Sequence, residues 1–165
     1  MEKIENKYSS RISYALSLIK ETKIFFNELA KNKTIDQIYD EVLNDNLFDK
    51  TAFESRKKAF SAIKNRFYLN PEVNNEILQT IINSNLDESI KNHIIYYYFS
   101  KSEIIVYDIT TKLFYNMFLE GKLIITKNDI LGFLESQTKT HKEIKEWTAS
   151  TKEHIIQHYL YSTPA

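Results

Sequence analysis

Apolar residues recur at helical spacing through nearly every segment of this chain, and polar clusters punctuate them. Ile12, Leu16, Ile19, Phe26 and Leu29 mark one face of a first helix that Ser9 or Ser10 can cap, with its end near Lys31-Asn32. Thr34 with Gln37 predicts a capping box for a second helix, where Ile35, Ile38, Tyr39 and Val42 share a face until Asn44-Asp45-Asn46 breaks the pattern. Thr51 and Glu54 form another such pair, ahead of a helix whose buried stripe is Phe53, Phe60, Ile63 and Phe67. Asn70-Pro71 ends that helix and restarts the chain as cap and first helical residue, with Val73, Ile77, Ile81 and Ile82 inward. Asp87 caps the next helix, which runs through Ile90, Ile94 and Tyr97 toward Ser100.

The segments 94–99 and 104–109 are rich in Ile, Val and Tyr, which also suit strands. Ile105, Ile109, Leu113, Phe114, Met117 and Phe118 hold helical spacing over too long a span for a strand, with Gly121 as a left-handed stop. Apolar on all sides, this helix is the expected buried centre. An extended connector over 122–125 leads to Thr126, which caps a helix buried by Ile130, Leu131, Phe133 and Leu134 with Asp129 in its first turn. Thr148 or Ser150 caps a last helix docked by Ile155, Ile156, Tyr159 and Leu160. Two Gly and two Pro are too few for the turns of an all-β sandwich, so the fold class is all-α. The expected architecture is a compact bundle of about seven helices in a single domain, 1–165. Within it, a helix-turn-helix-like unit (9–69) packs on a C-terminal bundle (70–162).

Charge separates the second and third helices more sharply than hydrophobicity does. Residues 33–49 hold five acids against Lys33 alone, whereas 50–68 hold six bases against Glu54 alone. At 100° per residue, Lys57, Lys58, Ser61, Lys64 and Asn65 fall opposite Phe60, Ile63 and Phe67. That face has the chemistry that phosphate oxygens need; a plain solvated helix face is the alternative. Net charge is zero, so binding to nucleic acid must come from such a patch rather than from a whole-protein field. With 42% hydrophobic content the chain should be globular, and the lack of cysteine excludes disulfides and thiol catalysis. No apolar run is long enough for a membrane span and the N-terminus lacks a signal-peptide core, so a soluble, cytoplasmic protein is expected.

Candidate catalytic chemistry is sparse. His154 and His158 have a helical metal-ligand spacing, but the string H-I-I-Q-H lacks a general-base Glu and an evident third ligand beyond an isolated His141 or His93. Glu103 and Asp108, five apart, point to different sides of a helix. There is no glycine-rich phosphate loop or nucleophile elbow. Tyr96-Tyr97-Tyr98-Phe99 point in successive directions, so they serve a core better than a base-stacking platform. The expectation is a protein without catalysis or cofactor.

Several features in order resemble one family. They are Tyr8-Ser9-Ser10-Arg11, the 35–42 helix, the Asn46-Leu47-Phe48 turn, and Ala59, Ile63 and Arg66 in the basic helix. Further on come the 114–119 and 126–130 segments and above all W-T-A-S-T-K from Trp147 to Lys152. Together these resemble BrxA, the small helical component of bacterial BREX bacteriophage-exclusion systems. The resemblance implies a fold similar to the NusB antitermination family, no catalytic centre, and DNA binding in phage defence. Relatives run on for another element where this chain stops soon after Leu160, so a contact made there is not carried over. Charge segregation and resemblance together make Arg11, Lys50, Arg56, Lys57, Lys58, Lys64 and Arg66 the candidate phosphate contacts on double-stranded DNA. The alternative is an adaptor that holds other BREX proteins through the same basic helix, or pairs its acidic and basic helices with a second copy.

Overall fold

A computed structural model describes residues 7–10, 18–73, 75–83 and 86–162, and every regular element in them is helical. Contacts divide the chain into two compact units, one over 17–99 and one joining 100–163 to the N-terminal residues around Tyr8.

The 17–99 unit holds α1 (Ile19–Ala30), α2 (Ile35–Asn44), α3 (Phe53–Ile63) with a π-helical continuation (Lys64–Tyr68), α4 (Asn75–Asn83) and most of α5 (Glu88–Ser102). α1 starts at Ile19 rather than at the expected serines, because Leu18 takes a left-handed conformation (φ 49°) while its carbonyl accepts the first helical hydrogen bond from Thr22. A branched side chain there costs about 1 kcal/mol, offset in part by burial of Leu18. The Ile12 and Leu16 positions of the expected first helix lie outside the described residues. α2 has the predicted capping box, Thr34 with Gln37. Asn46, left-handed, turns the chain beyond α2 and accepts the Lys50 backbone N–H through Oδ1 at 2.9 Å.

α3 departs from expectation at its start. Ala52 is the N-cap and makes no side-chain hydrogen bond, and Phe53 is half exposed instead of buried. Asn70 closes a turn through the backbone N–H groups of Glu72 and Val73, and α4 begins only at Asn75. Asp87 caps α5 as predicted, accepting from the Ser89 N–H at 2.8 Å. The core is aromatic: Phe25 meets Phe60, Phe26 meets Phe67 and Phe67 meets Tyr98, all edge to face. Such pairs add about 0.5–1.5 kcal/mol each beyond the area they bury.

The other unit is built on a rod, 104–119, in which α6 (Ile104–Asp108), a π-helical stretch (Ile109–Phe114) and α7 (Tyr115–Leu119) follow without a break. Gly121 (φ 81°) ends it as predicted, and Thr126 with Asp129 caps α8 (Lys127–Gln137) in a full box. A 3₁₀ turn (Lys142–Glu146) leads to α9 (Ala149–Ser162), whose first turn is capped by Thr148. Ile105, Val106, Ile109, Ile130, Leu134, Ile144, Ile155 and Ile156 form the core, closed by Tyr159, whose hydroxyl meets Thr110 Oγ1 at 3.0 Å. The rod is not the all-round buried helix its composition suggests. One side is buried, while Tyr107, Tyr115, Phe118 and Leu119 face solvent.

The N-terminal residues are fastened to this unit by Tyr8. Its ring stacks on His141 with centroids 3.7 Å apart, its hydroxyl donates to Asp108 Oδ2 at 2.7 Å, and its backbone N–H donates to Glu143 Oε1 at 2.5 Å. Burial first, then the Asp108 hydrogen bond and the charges of Asp108 and Glu143, push the Tyr8 phenol far above its ordinary value. Lys112 completes the cluster with an ion pair to Asp108 at 2.8 Å.

Candidate nucleic-acid interface

α3 meets α2 across a tight loop, and the cations predicted to bind phosphate divide into two groups there. Arg56 is spent on the loop: Nε donates to the Lys50 carbonyl and an Nη to the Leu43 carbonyl, each at 2.8 Å. It thereby satisfies a carbonyl in the last turn of α2 that the helix leaves open. Lys50 pairs with Glu21 of α1 at 2.6 Å, and both side chains are largely covered. Arg66 is turned inward, 4% exposed, with its guanidinium 4.5 Å from the centre of the Phe99 ring. A long apolar stem and a cation that favours aromatic faces make this a packing role, so Arg66 is withdrawn from the outward face. Arg11 lies outside the described residues.

What remains outside is Lys57 and Lys58, both exposed, and Lys64, partly exposed. Lys57 and Lys64 make no ion pair among the described residues. Ser61 and Asn65, on the same predicted face, are exposed as well. Phe60, Ile63 and Phe67 occupy the opposite side in the core, which holds the lysines outward. Among the described residues the acids of α2 make no ion pair with Lys57 or Lys64. Glu41 is engaged with Lys33 at 2.7 Å, and Lys33 also reaches Glu28, while Asp36, Asp40 and Asp45 remain exposed. Hydrogen bonds from Lys31 and then Lys33 hold the Glu28 carboxyl below its ordinary range.

The histidines do not converge. His154 and His158 sit with ring centroids 6.4 Å apart, His93 Nδ1 lies 2.6 Å from the Ser89 carbonyl, and His141 is occupied by Tyr8 and Glu143. Among the described residues no three His, Asp or Glu side chains are grouped to hold a metal ion, and no helix is long and apolar enough to cross a membrane. Sequence reasoning missed the Tyr8, Asp108, Lys112, His141 and Glu143 cluster, whose members are separated by up to 135 positions. The only local hint was the i,i+4 spacing of Asp108 and Lys112.

These features define a small all-helical protein whose distinctive polar surface is a lysine-bearing helix. The chain belongs to the BrxA family, whose model matches residues 6–162, nearly its whole length. It is therefore a component of a BREX phage-defence system. No curated protein resembles the chain closely enough to count as a relative.

Proposed function

We propose that this protein is a non-catalytic DNA-binding accessory component of its BREX system, gripping double-stranded DNA by its phosphates through Lys57, Lys58 and Lys64. One observation carries the reading: Lys57, Lys58 and Lys64 lie with Ser61 and Asn65 on the side of α3 and its continuation opposite the buried Phe60, Ile63 and Phe67. Lys57 and Lys64 are two turns apart, roughly 10 Å along the axis. That span corresponds to roughly three base-pair rises along the axis of a duplex. Lysine at phosphate positions a protein without reading bases, so sequence specificity is low.

Three phosphate contacts give a salt slope of about −2.7, hence a loss of about 40-fold in affinity between 50 and 200 mM salt. The test is a gel shift on random-sequence duplex with the K57E/K58E/K64E variant, its fold checked by circular dichroism. The variant is expected to lose binding while keeping its helicity. A shift equal to that of the wild type overturns the reading.

A further inference from the structure

Within the 17–99 unit, a groove of about 650 Å³ runs between α4 and α5. Ile77, Thr80 and Ile81 form its α4 wall, and Ile90, Ile94 and Tyr97 its α5 wall. Ile81 is buried, whereas Thr80, Ile90 and Tyr97 are exposed, the last two at 47% and 51%. Helical spacing builds both walls. Ile77 and Ile81 are one turn apart, and Ile90, Ile94 and Tyr97 follow at i, i+4 and i+7, a stripe of roughly 10 Å along α5. The Tyr97 ring meets Tyr98 edge to face at 5.2 Å, which supports that wall.

We propose that this groove is a docking site for an amphipathic helix of a partner protein, one that presents aliphatic side chains at i and i+4 with lysine or arginine beside them. Shape is the first argument. Both walls are helices, so no sheet edge is offered to an extended peptide, and an apolar trough about two turns long is what a helix lays its own apolar face into. Charge is the second. Residues 70–98 hold Glu72, Glu76, Asp87 and Glu88 against Lys91 alone. Glu88 is engaged by Lys23 at 2.5 Å and by Lys91 at 3.3 Å. Glu76, an exposed member of the groove lining, makes no ion pair among the described residues. A carboxylate left over beside aliphatic walls favours a cation on an apolar occupant. It repels a polyanion, and a second copy of the same face would bring acid to acid. None of the lining residues belongs to α3, so this site stands or falls independently of DNA binding.

The test is fluorescence anisotropy of the full-length chain with two labelled probes, a helical leucine–lysine peptide with one apolar face and the same peptide with glutamate in place of lysine. The leucine–lysine peptide is expected to bind about tenfold more tightly than its acidic counterpart. Thr80→Arg puts a long cation into the groove from an exposed position, and should weaken that binding about tenfold with unchanged circular dichroism and Tm. Glu76→Gln should weaken it about threefold. Asp36→Asn/Asp40→Asn, which removes exposed acids of α2 instead, should leave it unchanged, as should Lys57→Gln/Lys58→Gln/Lys64→Gln. A leucine–lysine peptide that fails to bind at its highest soluble concentration overturns the proposal, and so does equal binding of the two peptides. Binding untouched by Thr80→Arg, or weakened as much by the α2 substitutions as by Glu76→Gln, overturns it too.

Discussion

α3 and the 104–119 rod both carry a π-helical stretch, and they present opposite surfaces. In α3 the aromatic residues Phe60 and Phe67 are buried and lysines face outward; in the rod the small aliphatics Ile105, Val106 and Ile109 are buried and the aromatics face outward. The difference shows that residue type alone does not decide which side is core. α3 must fill the space left by Phe25 and Phe26, which calls for large rings, whereas the rod packs against α8, whose buried side chains are Ile130 and Leu134, where short branched side chains fit. The surplus aromatic volume of the rod is then left on the surface.

The sharpest break of this comparison concerns Arg66, the cation that sides with the rings. Arg66→Ala should destabilise the protein by about 2–4 kcal/mol, because it removes a buried stem and a cation stacked on Phe99. Chemical denaturation measures the loss, and DNA affinity of the folded fraction should not change. Lost DNA binding with unchanged stability would return Arg66 to the outward face. In the other unit, Tyr8→Phe keeps the ring on His141 and deletes only the hydroxyl donor to Asp108, which should cost about 1–2 kcal/mol. If the melting curve does not move, the Tyr8 contact contributes nothing to anchoring the N-terminal residues.

The smallest effect is electrostatic. Glu28 is held below its ordinary 4.5 by Lys31 and Lys33, so its contribution is present above pH 4.5 and is lost as pH falls through the folded value. Glu88, paired with Lys23 and Lys91, shifts in the same direction. Glu28→Gln should flatten the stability profile below pH 4.5 and leave the region above it parallel to the wild type. An acid limb as steep as before would assign it to other carboxylates.

Signals within one turn of helix were legible in the sequence. Thr34 with Gln37, Thr126 with Asp129, Asp87, Thr148 and Gly121 all act where their spacing placed them, because a cap needs only neighbours three residues away. Features fixed by distant partners were not. Thr51 loses its cap to Ala52 because the chain enters α3 one residue later, while Arg56 ties the loop before α3 to the last turn of α2. The 100° spacing set Lys57, Lys58, Ser61, Lys64 and Asn65 opposite the buried Phe60, Ile63 and Phe67, whereas Arg66 joined the candidate contacts through charge segregation and family resemblance and is buried in a π-helical stretch. Tyr8 stood out only as part of a family-like string, since its partners come from residues at least 100 positions away.

The measurement that bears most directly on the central claim is the salt dependence of duplex DNA binding, followed by fluorescence anisotropy for the wild type and for Lys57→Gln/Lys58→Gln/Lys64→Gln. If these lysines grip phosphates, the slope of log K against log salt falls in magnitude by about 2.7 in the variant. Parallel lines for the two proteins would contradict the account.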